Sequence, residues 1–297
     1  MAELPSVVVL GEILWDILGE SRRLGGAPLN FAAHARSLGH PVSLISALGA
    51  DAAGRDAAER IAELDLDTSL LQTTSRFATG TAEVRLGSDG SAVFEIARPA
   101  AYDAVDLSAG EIEALRVRSP AWCYYGTLFA ATPPGRRALE QLLYSLTGTR
   151  KLYDLNLRPG ADAPELVEAL LAHADVVKLN DHERDFVREI TGLPSDLEAF
   201  CRAVSERYGL CAVSVTLGER GCAMLVDGEY IEAPAPKVIV ADTVGAGDAF
   251  AAAFMHGLSC GLAVDAIASL ANRIAAHVAS RAGSLPERGT AAYSEPV

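Results

Sequence analysis

Short, nearly continuous apolar runs alternate along the chain with longer stretches in which apolar residues recur every three to four positions. The runs at 7–10 (VVVL), 42–45, 122–125, 151–154, 176–179 and 212–216 predict strands. Their lack of polar alternation is the pattern of strands covered on both faces. The stretches at 29–38, 52–64, 133–144, 164–173, 181–190 and 197–208 predict helices. Gly39, followed by His40 and Pro41, predicts a helix stop, because proline cannot continue the helix and glycine relaxes its last turn. Repeated strand–helix–strand units predict a mainly parallel α/β/α sandwich, since a parallel pair needs a crossover long enough to hold a helix.

One segment departs from that rhythm. Residues 81–86 and 92–96 read as strands around Gly87-Ser88-Asp89-Gly90, and so short a connection makes an antiparallel hairpin. Its alternation is weak, so one face is expected to meet solvent, a ligand or a partner. No Pro-, Gly- or Ser-rich linker and no repeat interrupts the chain. The reading is one domain over 1–297 carrying a small β lid from segments 12–20 and 77–103. An isolated hairpin is marginally stable, so a homodimer built through the lid is an expected arrangement.

Composition narrows the class. The 297 residues carry 39 Asp and Glu against 25 Lys and Arg, a net charge of −14. A nucleic-acid surface is normally basic, so no nucleic-acid partner is expected. Lysine occurs only at Lys151, Lys178 and Lys237, so any role for a lysine falls to one of these. Five cysteines without a CxxC pair argue against a disulfide framework or zinc knuckle. The uncharged stretch 249–264 is shorter than the ~20 residues of a membrane span. No membrane partner is expected, and the N-terminal residues lack the basic-then-apolar order of a signal peptide. The chain reads as cytoplasmic. His34, His182 and His256 lie on predicted helices without metal spacing and read as core or surface histidines.

Candidate chemistry concentrates at 242–250, DTVGAGDAF, ahead of the apolar helical run AAAFMHG. The pair 239–240 leads in as a strand, which puts the glycines between strand and helix. The backbone N–H groups of Gly245, Ala246 and Gly247 then open the helix toward an anion, where the dipole adds partial positive charge. That arrangement suits the charge on a transferring phosphoryl group. Asp248 stands where a carboxylate can take a proton from a hydroxyl, or can simply cap the helix. Phe250 occupies the place of the third glycine in a dinucleotide fingerprint, and no GxxxxGK[ST] occurs.

DTVGAGDAF resembles the C-terminal signature of the ribokinase-like (PfkB) carbohydrate kinases, and LGGAPLNFAAHARSLG at 24–39 resembles their N-terminal signature. The resemblance runs from the first strand to the last helix. It implies a ribokinase-like three-layer α/β/α sandwich with a mainly parallel sheet and a small β-strand lid. It also implies ATP-dependent phosphorylation of a sugar hydroxyl by in-line transfer, with Asp248 as base and Mg²⁺ as cofactor. In EILWD at 12–16, Asp16 resembles the aspartate that binds sugar hydroxyls. Gly25 and Gly26 imply close backbone approach, and Asn30 a donor and acceptor for hydroxyls.

DLNLR at 154–158 resembles the DxNxR string of fructokinase-like and 2-keto-3-deoxygluconate kinase-like members. Asp154, Asn156 and Arg158 alternate, so they are expected on one side of a strand end. The resemblance implies Arg158 at substrate or phosphates; an Asp154–Arg158 ion pair is the other reading. KLNDHE at 178–183 carries Asn180 and Glu183 in the family NxxE pattern, which organises Mg²⁺ and phosphates through water; the same spacing is a helix capping box. In TLGERG, Thr216, Gly218 and Gly221 resemble the nucleotide-binding turn, and Asn272 a residue beside the adenine. Asp242, the Val244 carbonyl and the loop 280–284 resemble the K⁺ site of some members.

GEILWD, RPAAYD at 98–103 and KLNDHE together favour fructose. Kinases of 2-keto-3-deoxygluconate, ribose or a nucleoside are the alternatives, and a non-catalytic sugar or nucleotide sensor is a second one.

Overall fold

Alternate residues of the central strand face two separate cores, which is why it carries no polar position. Val7 and Val9 enter one apolar cluster, Val8 and Leu10 the other. The computed structural model describes residues 4–19, 21–86, 92–286 and 293. The turn expected at 87–90 lies outside the described residues.

The chain begins with β1 (Val7–Leu10), β2 (Leu14–Leu18), β3 (Ser21–Gly25), α1 (Ala27–Ser37), β4 (Val42–Gly49) and α2 (Ala52–Ala62). It continues through β5 (Leu71–Thr74), β6 (Gly80–Leu86), β7 (Ala92–Ile96), α3 (Ala109–Arg118) and β8 (Trp122–Gly126). Next come α4 (Thr127–Ala130), α5 (Pro133–Ser145), β9 (Arg150–Asp154), α6 (Pro164–Leu171), β10 (Val176–Asn180) and α7 (Asp181–Thr191). The last elements are α8 (Leu197–Tyr208), β11 (Ala212–Thr216), β12 (Cys222–Val226), β13 (Glu229–Ala233), α9 (Ala246–Cys260) and α10 (Val264–Ala279).

The large sheet has the order β13-β12-β11-β10-β9-β8-β1-β4-β5. The strands from β11 through to β5 run parallel; β12 pairs antiparallel with β11, and β13 antiparallel with β12. Helices α1, α2, α9 and α10 cover one face, and α3, α5, α6 and α8 the other. Each fully buried Val, Leu or Phe side chain contributes about 1.5–3 kcal/mol of hydrophobic free energy. Among the described residues, no helix is long and apolar enough to cross a membrane.

A second sheet, β3-β2-β6-β7, contains the expected hairpin as its β6–β7 pair. β2 joins it parallel to β6, and β3 antiparallel to β2. The sheet is tied down by Trp15. Its indole N–H donates to the Ala53 carbonyl at 3.0 Å, and its ring lies 4.5 Å from the Arg22 and 5.2 Å from the Arg60 guanidinium. These contacts join the small sheet to α2.

Several elements escape apolar patterning. β3 (SRRLG) is polar and exists because β2 offers it a ladder. β12 and β13 meet at Asp227-Gly228, both with positive φ (47° and 88°), a two-residue hairpin turn legible in the Asp-Gly pair itself. The expected strand at 239–240 does not form. Residues 238–240 lie exposed, Ile239 at 91%, and pair with no strand of either sheet.

Candidate active site

A cavity of about 610 Å³ opens beyond the carboxyl ends of the parallel strands, between the two sheets and the start of α9. This is where ligands bind in open α/β sheets. It gathers Asp16, Gly26, Asn30, Arg158, Asn180, Thr216, Asp242, Val244, Gly245, Gly247 and Asp248, all expected at the site. Gly25, Ala246, Glu183, Gly218, Gly221 and Asn272 do not line it. Glu12, Asn156 and Lys178 do, and pattern reading assigned them no role.

The GAG turn opens α9 without the expected strand before it. Gly245 caps α9 with φ 81°, and a Cβ there would lie 2.5 Å from the Ser284 Cβ. Both the backbone and the packing therefore require glycine. Asp248, in the first turn of α9, is 8% exposed. Burial, reinforced by the Asp154 charge, lifts its carboxyl to about 6, against the opposing pull of Asn30, Lys178 and Arg158.

A directional hydrogen-bond chain holds that carboxylate. Asn30 Nδ2 donates to Asp248 Oδ2 at 2.8 Å, and Ser284 Oγ donates to Asn30 Oδ1 at 3.0 Å. His34 Nε2 lies 2.9 Å from the Ser284 carbonyl and Nδ1 lies 2.6 Å from the Tyr293 hydroxyl. A carbonyl only accepts, so Nε2 carries the proton and Nδ1 accepts from Tyr293. Burial pushes His34 down to about 4, which keeps the ring neutral. The core role read for His34 is thus one that orients the residues behind Asp248.

The cavity floor carries a buried ion pair. Lys178 Nζ lies 3.0 Å from Asp154 Oδ1, with side-chain exposures of 6% and 0%. Tyr124 donates to the other Asp154 oxygen at 3.2 Å. Burial opposes the Lys178 charge, but Asp154, Glu183 and Asp248 outweigh it and hold the amine above its ordinary value. A Cβ on Gly247 would lie 3.2 Å from Nζ, so the amine stands against the first turn of α9. The alternative Asp154–Arg158 pair is overturned: Asp154 belongs to Lys178. Nor do residues 154, 156 and 158 share one strand face. β9 ends at Asp154, and Asn156 turns left-handed at φ 41°, sending Asn156 and Arg158 to the cavity wall.

The NxxE pattern forms a full capping box. Asn180 Oδ1 accepts from the Glu183 amide at 2.9 Å, and Glu183 Oε2 from the Asn180 amide at 2.8 Å. Glu183 Oε1 accepts from the Leu157 amide at 2.9 Å. Its buried negative charge therefore sits just behind Asn180. Asp242 accepts from Arg23 Nη1 at 2.7 Å and from the amides of Val244 at 3.0 Å and Gly283 at 3.3 Å. This ties β3 to the loop before α9.

Asn272 is buried and donates to the carbonyls of Ala233 (3.2 Å) and Pro234 (3.3 Å), shaping the exposed segment 234–240. Gly221, at φ 99°, makes a turn so tight that a Cβ would lie 2.0 Å from the Ala233 carbonyl. Asp16 is raised to about 6, first by burial. Glu12, which follows β1 directly, is raised to about 7 by burial.

A pocket with a proton-accepting carboxylate, helix-end amides and a fixed lysine charge is suited to moving a phosphoryl group onto a hydroxyl. A sequence model described as pfkB family carbohydrate kinase matches residues 18–288. The chain belongs to the pfkB family of carbohydrate kinases. It is therefore a phosphotransferase, which sets aside the sensor reading. This pfkB kinase is 30% identical over 266 residues to a fructokinase of Salmonella typhimurium, covering 85% of this chain and 84% of that one. Its fold matches the crystal structure of a Xylella fastidiosa fructokinase with bound ATP at TM-score 0.81 and 21% identity, covering 94% and 93% of the two chains. An E. coli protein designated a candidate ribokinase II, solved with ATP and Mg²⁺, matches at TM-score 0.82 and 24% identity, covering 95% and 94%. The architecture is ribokinase-like.

Proposed function

We propose that this pfkB kinase uses ATP to phosphorylate a hydroxyl of a neutral sugar, fructose first, with Asp248 as the general base. The observation that carries the reading is Asp248 itself: a buried carboxylate lifted to about 6, in the first turn of α9, on the wall of the cavity. Such a group is ionised at neutral pH yet basic enough to take a proton, the condition for efficient base catalysis.

The sugar lies against Asp16, Gly26 and Asn30, with Arg158 beside it. The nucleotide lies toward Asn180 and Thr216, its terminal phosphate aimed at the start of α9. As the hydroxyl oxygen attacks the terminal phosphorus in line, the bond from that phosphorus to its bridging oxygen breaks, ADP leaves with the bond's electrons, and the hydroxyl proton passes to the Asp248 carboxylate. The negative charge spread over the phosphoryl oxygens faces the amides of Gly245 to Gly247 and the Lys178 ammonium. These donors are fixed before the reaction, so no reorganisation is needed as charge develops.

Both Glu183 oxygens and Asn180 Oδ1 already accept backbone amides, so they would act on Mg²⁺, a hard cation that keeps several waters, through its water shell. Among the described residues, no group of three or more His, Cys, Asp or Glu is arranged to hold a bare metal ion. Bound with the nucleotide, Mg²⁺ would neutralise phosphate charge, with Glu183 attracting its water shell. A monovalent cation at Asp242 would compete with the Arg23 guanidinium, which leaves the Val244 carbonyl and loop 280–284 as its supports. The small sheet acts as the lid, excluding water and so limiting ATP hydrolysis.

The Arg158 cation on the cavity wall favours a second reading, an acidic sugar such as 2-keto-3-deoxygluconate. A coupled ADP-release assay over ketohexoses, aldohexoses, pentoses, keto acids and nucleosides separates the two. The expected result is fastest ADP release with a neutral ketohexose. A higher kcat/KM for a keto acid transfers the assignment to the second reading.

A further inference from the structure

Around the cavity most buried polar groups already have partners. Asp248 is bonded to Asn30, Lys178 to Asp154, and Asn180 to the amide of Glu183. Glu12 is different. It is 5% exposed, it lines the cavity, and its Oε2 atom is buried without a hydrogen-bond partner. Tyr102, on the short turn Ala101–Ala104 after the small sheet, is fully buried, and its hydroxyl also lacks a partner. The two feel each other electrostatically, and Arg98 acts on both. Buried polar atoms are almost always paired, so an orphan oxygen on a residue that lines a cavity marks a place for a ligand atom.

The neighbours define that atom. Glu12, Asp16 and Asp248 put three carboxyl groups on the cavity wall. Lys178 is already committed to Asp154, and Arg158, the other cation lining the cavity, is shared among all three carboxyls. An uncharged hydroxyl can donate to Glu12, whereas a substrate carboxylate placed there would be repelled. Gly26, whose Cβ would lie 2.6 Å from the Glu12 carbonyl, holds the start of α1 against this segment and so keeps Glu12 next to the Asn30 region.

We infer that Glu12 is a sugar-recognition residue whose open carboxyl oxygen takes one hydroxyl of the carbohydrate and selects an uncharged polyol over an acidic sugar. This rests on the kinase reading above. The residue contacts substrate and takes no part in the chemical step.

The test is steady-state kinetics of Glu12→Gln with the preferred sugar, its series of singly deoxygenated analogues, and an acidic sugar. Glutamine keeps the size and removes the charge. The expected result is a rise in KM for the parent sugar of about tenfold, the worth of one charge-assisted hydrogen bond, with the KM for ATP unchanged. The analogue lacking the contacted hydroxyl should show the same KM in both enzymes, while the other analogues keep the tenfold ratio. The kcat/KM ratio of acidic to neutral sugar should rise in the variant.

A parent KM within twofold of wild type overturns the inference, as does an equal loss for every analogue, which marks a merely structural role. An unchanged acid-to-neutral ratio overturns the selectivity. If Glu12→Gln does not fold, Glu12→Asp, which draws the carboxyl back by one methylene, must show the same hydroxyl-specific loss. A wild type that turns over no carbohydrate overturns the kinase reading and this inference together. An active wild type with an indifferent Glu12→Gln overturns the inference alone.

Discussion

The floor and the wall of the cavity hold similar residues in opposite conditions. On the floor, Lys178 is held by Asp154, which Tyr124 also meets, and behind it both oxygens of Glu183 accept backbone amides. On the wall, Asp248 has one side-chain donor, from Asn30, and Glu12 has an orphan oxygen. Burial raises the wall carboxyls to about 6 for Asp16 and Asp248 and about 7 for Glu12. Glu183 is also raised by burial, but Lys178 and its amides pull it back. Satisfied charges give a fixed field; under-satisfied ones give groups whose protons can move. Phosphoryl transfer needs both, one to hold charge and the other to accept a proton.

The sharpest way to break the comparison is Asp248→Asn. If the wall does the proton transfer, kcat falls by about 10²–10⁴ while the thermal melting temperature does not drop. Near-normal turnover of the folded variant would remove Asp248 from the base role.

The floor is tested by Lys178→Met, which strands the Asp154 charge. Breaking one half of a buried pair costs about 3–5 kcal/mol, read by urea denaturation. Replacing both, Lys178→Met with Asp154→Leu, should restore most of that stability without restoring turnover. Recovery of activity in the double variant would show that the floor supplies no field to the reaction.

A third measurement sets stability against pH. Asp248 titrates at about 6 in the folded protein against an ordinary value of 3.8, so the native state holds this proton more tightly. Its contribution to stability is complete below pH 3.8 and is lost as pH rises through 6. At pH 8 the buried ionised carboxylate costs up to about 3 kcal/mol. Asp248→Asn should therefore unfold at higher urea concentration than wild type at pH 8, with a smaller gain at pH 5. In the wild type, kcat/KM should fall as pH drops below about 6, as the base becomes protonated. A gain over wild type that is the same at both pH values would contradict this account of the wall.

The smallest effect belongs to the chain behind the wall. Ser284→Ala keeps the Cβ that packs on Gly245 and removes the hydrogen bond to Asn30. The expected loss is about 1 kcal/mol, with kcat lowered a few-fold and KM for ATP unchanged. An unaltered kcat would mean that Asn30 holds Asp248 without help.

Much of this molecule is legible one segment at a time. Strands covered on both faces need no polar positions, so β1, β8, β10 and β11 stand out as apolar runs. The glycines at the start of α9 and the Asn180–Glu183 spacing are local devices whose residues lie within one turn of each other. What escaped notice lacked such a signature. β3 is polar and exists only as a partner for β2. The pair 239–240 is apolar yet forms no strand, because it lies exposed and outside both sheets' ladders. Lys178 could have been suspected from the scarcity of lysine, and Glu12 from its place at the end of the first strand.

Patterning and turn chemistry along the chain thus settle the layers, the parallel sheet and the glycine-lined helix start, since each depends on residues near in sequence. Which charges are quenched and which stay open depends on partners brought together by folding. Asn30 and Asp248 are 218 positions apart, and Asp154 and Lys178 are 24 apart on neighbouring strands. Hydrogen-bond distance and exclusion of water fix a carboxyl's affinity for its proton, and neither exists until the sheet, the helices and the small β-sheet have closed around it.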